Sequence, residues 1–155
     1  MKTLILYATK HGATREIAER IAGRMDGATT HDFGQGNIPD IAGFDCIVVG
    51  SSLYAGMIRK EAKAFLSQNA DTLCNKKLGL FLSGMDSSKE KDFFESNIPQ
   101  SILLGAKATG FLGGIYDPKK AGFIERLIMK AASGQSKYTN CIDDGRIEKF
   151  IEALR

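Results

Sequence analysis

The stretch Lys2 to Thr14, KTLILYATKHGAT, decides how the rest of the chain is read. Lys2 to Ala8 is a short apolar run containing Thr, Ile and Tyr, the pattern of a strand buried on both faces of a sheet. It breaks into the polar turn Thr9-Lys10-His11-Gly12-Ala13-Thr14. From Ala13 to Met25 the apolar positions Ile17, Ala18, Ile21, Ala22 and Met25 recur at helical spacing, separated by charged residues, which predicts an amphipathic helix. Strand, tight turn and covering helix are the opening of a crossover connection between parallel strands.

Working outward, the same alternation continues. Ala28 to Phe33 is a short strand candidate, and the glycines with Pro39 mark a loop. Phe44 to Ser51, FDCIVVGS, is the clearest second buried strand. Ile58, Ala62, Phe65 and Leu66 form a helical stripe, and Lys77 to Ser83 is another apolar strand. Asp86 to Leu104 reads as polar and then helical in two pieces around Pro99. Ala106 to Tyr116 reads as one glycine-rich last strand, followed by helices near Lys119 to Ala132 and Asp143 to Leu154. The pattern predicts an α/β fold with a doubly wound, five-stranded parallel sheet and helices on both faces. Ligands of such sheets lie outside the carboxyl ends of the strands, so the loops after Ala8, Ser51 and Ser83 are the candidates.

Composition narrows the function classes. With 155 residues, 43% hydrophobic and 25% charged, the chain reads as one globular domain over residues 1–155. Its three cysteines, Cys46, Cys74 and Cys141, form no C-x-x-C pair, and His31 has no partner at ligand spacing. A reducing cytoplasm and no metal site are expected. A net charge of +3, from 21 basic and 18 acidic residues, is too mild to imply nucleic acid. The apolar run Leu4 to Ala8 is too short for a signal-peptide core, and no stretch approaches the roughly 18 apolar residues of a membrane span.

Each loop suggests one kind of contact. A helix start leaves backbone N–H groups free, Gly12 lets the backbone close on an oxyanion, and Thr9 and Thr14 add hydroxyls. The turn fits neither the triphosphate-binding nor the dinucleotide-binding glycine pattern, so a monophosphate is the ligand it suits; an ordinary capped helix start is the other reading. Ser51-Ser52-Leu53-Tyr54-Ala55-Gly56 sets small hydroxyls, an aromatic and a glycine at the same edge. There Tyr54 either stacks on a planar ring or simply packs. Ser83-Gly84-Met85-Asp86 offers backbone amides to the polar edge of a heterocycle.

Together the three loops resemble the flavodoxin family, in which a T-x-x-G-x-T turn holds the FMN phosphate and the next two strand ends clasp the flavin ring. The resemblance implies strand order 2-1-3-4-5. It makes Thr9, Lys10, His11, Gly12, Ala13 and Thr14 the phosphate residues. Ser51 to Gly56 and Ser83 to Asp86 become the ring residues. Within that superfamily the opening MKTLILYATKHGATREIA is similar to menaquinone-dependent protoporphyrinogen oxidases. So is Ile115-Tyr116-Asp117-Pro118 with Phe123 and Arg126 to Lys130. That resemblance implies a quinone-linked oxidoreductase with a quinone or porphyrinogen as substrate. The group has a longer basic insertion before the last strand, whereas Asp86 to Leu104 is shorter and less basic. A second ring-covering tyrosine has no counterpart after Met85, which leaves one flavin face open.

Alternatives follow from the same residues. A one-electron flavodoxin carrier would act on a redox partner protein, although such carriers are usually acidic. A phosphorylated receiver is excluded, since Ser51 and Thr9-Lys10 stand where its aspartates belong. A degenerate module would keep the fold and lose the cofactor. No proton-transfer residue is identifiable. The helix near Lys119 to Ala132 carries a wide apolar arc with basic flanks; it is either a core helix or a peripheral contact with an anionic membrane.

Overall fold

The computed structural model describes residues 1–134 and 136–155. Its strands are β1 (Thr3–Ala8), β2 (Ala28–Asp32), β3 (Cys46–Tyr54), β4 (Met57–Ile58), β5 (Lys77–Ser83), β6 (Ala108–Phe111), β7 (Ile115–Tyr116) and β8 (Thr139–Asn140). The helices are α1 (Ala13–Ala22), α2 (Lys60–Gln68), α3 (Ala70–Leu73), α4 (Glu90–Asn97), α5 (Gln100–Gly105), α6 (Phe123–Ser133) and α7 (Asp144–Leu154). The main sheet runs β2-β1-β3-β5-β6, all parallel, which is the expected 2-1-3-4-5 order of five long strands.

The sheet is apolar on both faces because it is covered on both. Leu4, Leu6, Ile47, Val49, Leu80 and Leu82 pack with Ala62, Phe65, Phe94 and Ile98 of α2, α4 and the α4–α5 link. On the other face Ile5, Tyr7, Val48 and Phe81 meet Ile17 and Ile21 of α1 and Phe150, Ile151 and Leu154 of α7. Alternate residues of each strand therefore enter different cores, so a slip of one residue would exchange them. The register sets Ala8 beside Ser51, Ser52 beside Ser83, and Leu82 beside Phe111, so all four strand ends meet at one edge.

Two expectations need correction. The segment Ser51 to Gly56 is not a loop from its start: β3 continues to Tyr54 and turns back through Ala55 and Gly56 into β4, paired antiparallel as Tyr54 with Met57. Both turn residues have positive φ, 49° and 76°, the pairing a tight hairpin requires. Ala106 to Tyr116 is not one strand either. It breaks after β6 at Gly113, whose φ is 86°. β7 leaves the main sheet and pairs antiparallel with β8. The segment between them carries α6.

No helix among the described residues is long and apolar enough to cross a membrane. Among the same residues no group of three His, Cys, Asp or Glu side chains is arranged to hold a metal ion.

Candidate functional site

Gly12 precedes the first turn of α1 with φ 99°, a left-handed conformation that a residue with a Cβ adopts only with strain. Among the described residues no side chain caps this helix, so the first-turn N–H groups point at the strand edge with their partial positive charge. The Gly12 N–H donates to Thr9 Oγ1 at 2.9 Å, which closes the turn. Thr14 is fully buried, and its hydroxyl is 2.7 Å from Ser83 Oγ. It ties the first loop to the third.

The hairpin forms the second wall. Ser51 Oγ accepts the Arg59 N–H at 2.9 Å and donates to the Ser52 carbonyl, so this buried hydroxyl holds the hairpin together. Asn97 of α4 anchors it from beneath. Its Oδ1 accepts the Ile58 N–H at 2.9 Å, and its Nδ2 donates to the carbonyls of Gly56 and Phe93, each at 2.8 Å. Tyr54 at the tip is 39% exposed, with Lys10 Nζ 4.5 Å from its ring centroid. The third wall is bolted to the segment after β6: Gly84 N–H donates to Gly113 O at 3.0 Å, and Cys141 N–H to Gly114 O at 2.8 Å.

These walls enclose one pocket. Thr9, Lys10, His11, Ala13 and Thr14 line it, with Ser52 to Gly56 and Ser83 to Asp86. Gly12 and Ser51 lie behind the lining and shape it. The sequence reading missed the remaining side. Phe93, Phe111 and Tyr116 line the pocket, and Glu125, Ile128 and Met129 of α6 cover it. Glu125 is ion-paired with Lys10, and its other oxygen is 2.8 Å from His11 Nε2. Burial first, then the charges of Lys10, Lys120 and Arg59, push His11 below the usual imidazole range, while Asp117 pulls it back. His11 Nε2 thus faces the Glu125 carboxylate at hydrogen-bond distance.

The donor set fits a phosphorylated flavin. An uncapped helix start and the Lys10 ammonium suit the phosphate. Ser52 Oγ is buried and has no hydrogen-bond partner among the described residues, which suits a polar group of a ligand. An apolar wall beside Tyr54 suits an aromatic ring.

Five parallel strands in this order, with three loops converging at their carboxyl edge, define a doubly wound α/β protein of flavodoxin architecture. The chain belongs to the flavodoxin domain family, whose model matches residues 4–140. No curated protein sequence matches it. Among solved structures it is similar to a short-chain flavodoxin associated with a non-canonical PDU bacterial microcompartment, at 20% identity over 99% of this chain and 97% of that one, with TM-score 0.56. A flavodoxin of Streptococcus pneumoniae TIGR4 matches at 17% identity, 99% and 97% coverage and TM-score 0.56. A WrbA-like flavodoxin of Agrobacterium tumefaciens matches at 23% identity over 67% of this chain and 70% of its own, with TM-score 0.52.

Proposed function

We propose that this chain is a redox protein that holds FMN in the pocket at its strand edge. The cofactor is FMN, whose isoalloxazine ring supplies the electron-carrying chemistry when bound. The residues divide the work. Backbone N–H groups from Thr9 to Thr14, with Lys10, hold the phosphate. Ser52 donates to a polar group of the flavin, and Tyr54 stacks on the ring. Backbone groups of Ala55, Gly56, Gly84 and Met85 contact its polar edges, where they tune its potential. The observation that carries this reading is the convergence of an uncapped helix start, an unpartnered buried hydroxyl and an exposed tyrosine on one pocket. Fluorescence-quenching titration of the flavin-free protein tests it, with riboflavin as the control that lacks the phosphate. Tight FMN binding with much weaker riboflavin binding is expected. Absence of FMN binding removes the reading and leaves the degenerate module.

Between the two redox functions, the α6 cover favours a quinone-linked oxidoreductase of the protoporphyrinogen oxidase type. Ile128 and Met129 give the pocket an apolar wall beyond the ring loops, suited to a lipophilic substrate. The alternative is a one-electron carrier serving a redox partner protein. Steady-state turnover with a menaquinone analogue and a porphyrinogen donor separates them, since only the enzyme catalyses it. The outward face of α6, where Phe123, Ile124 and Leu127 are 70%, 66% and 53% exposed, is the peripheral membrane contact of this reading.

A further inference from the structure

Glu125 is a carboxylate placed at an anion site. It projects from the inner face of α6, and its side chain is only 16% exposed, against 36% for Lys10 and 35% for His11. Those two residues stand between Thr9 and Gly12, beside the uncapped first turn of α1. One oxygen of Glu125 is paired with Lys10 and the other lies 2.8 Å from His11 Nε2. Arg59 and Lys120 are the further positive groups acting on His11, and Asp117 the opposing one.

We propose that Glu125 sets how strongly the pocket discriminates FMN from unphosphorylated flavin, because its carboxylate and the FMN phosphate draw on the same Lys10 and His11 side chains. This rests on the FMN reading. A phosphate monoester carries close to two negative charges at neutral pH, and like charges in a half-buried setting repel appreciably. Either the phosphate shares Lys10 and His11 with Glu125 at a loss of affinity, or it releases Glu125 and with it the inner face of α6. Riboflavin has no phosphate, so its binding is indifferent to that choice. Linkage makes the coupling reciprocal: whatever draws α6 outward tightens FMN, and FMN loosens α6.

The test compares Kd for FMN and for riboflavin in the full-length, flavin-stripped protein, for wild type and for Glu125→Gln. Glu152→Gln, on an exposed position of α7 outside the pocket lining, controls for net charge. Glu125→Gln should tighten FMN about tenfold while leaving riboflavin within about twofold, and Glu152→Gln should match wild type. Glu125→Asp, which keeps the charge but shortens the reach to His11, should move FMN in the same direction by less. Hydrogen exchange adds a second readout: FMN should speed exchange of the α6 amides in wild type more than in Glu125→Gln. An FMN-to-riboflavin ratio unchanged by Glu125→Gln, or weaker FMN binding, overturns the proposal. Wild type that binds neither flavin overturns the FMN reading itself. Wild type that prefers FMN by a ratio Glu125→Gln leaves alone refutes only the part given to Glu125.

Discussion

Tyr54 shows how single residues divide between competing contacts. Its ring lies against Lys10 Nζ at 4.5 Å, a cation–π contact worth about 0.5 to 1 kcal/mol at an exposed site. Stacking of an aromatic heterocycle on a side-chain ring is worth about 1 to 3 kcal/mol by alanine substitution, so a flavin would win the ring from the lysine. Tyr54→Ala should therefore weaken FMN binding by about 1 to 3 kcal/mol, and Tyr54→Phe should nearly preserve it. The same quenching titration measures both, and an unchanged Kd for Tyr54→Ala retires the stacking role. Thr14 and Ser51 were harder to read from sequence. Both look like ligand donors because they are small hydroxyls near strand ends. Thr14, however, meets Ser83, 69 residues away, and Ser51 takes the Arg59 N–H. Those partners are set by the fold, and local spacing carries no record of them.

At the level of elements, β1, β3 and β5 were legible because two-sided burial writes a near-continuous apolar run into each, whereas β2 is partly exposed and reads only as a short candidate. Short elements were not. β4, β7 and β8 have two residues each, too few for any period to show; β4 forms through the tight turn back onto β3, and β7 and β8 only because they pair with each other across the segment that carries α6. The hairpin β3–β4 depends on Asn97, which α4 delivers from 39 residues away to the Ile58 N–H. Removing that amide leaves the Ile58 N–H and the Gly56 carbonyl without their partner. A buried unpaired group costs about 1 to 3 kcal/mol. Asn97→Ala should lower stability by about that amount, measured as a lower urea midpoint at unchanged slope, and should weaken FMN because the Tyr54 hairpin loses its anchor. A midpoint equal to that of wild type would show that water replaces the amide. The turn at Gly113 is as demanding: a Cβ there would lie 2.0 Å from the Cys141 carbonyl oxygen. The sequence shows only one glycine among several in that stretch, which is why one strand was read where two stand. Glu90 and Arg146 finish the exposed edge of the sheet by bonding the N–H and carbonyl of Phe111.

Across the whole molecule, charge is unevenly distributed in a way the net value conceals. Residues 119–138 hold five basic residues, Lys119, Lys120, Arg126, Lys130 and Lys137, and one acid, Glu125, which is turned inward onto Lys10 and His11. The remainder carries 16 basic and 17 acidic residues, so the whole positive excess belongs to the segment around α6. The same segment exposes Phe123, Ile124, Leu127 and Tyr138. Apolar residues beside unopposed cations match an anionic lipid surface, to which each Lys or Arg near the bilayer contributes about 1 kcal/mol. A core helix would have turned those residues inward, yet it is Glu125, Ile128 and Met129 that face the pocket. The proposed membrane contact predicts cosedimentation with vesicles containing phosphatidylglycerol, weakened by salt and absent with pure phosphatidylcholine. Leu127→Glu should abolish it while leaving FMN affinity unchanged, since Leu127 does not line the pocket. Equal partitioning onto both vesicle types, or none onto either, would remove the membrane from the proposed function and leave α6 as the cover of the flavin site alone.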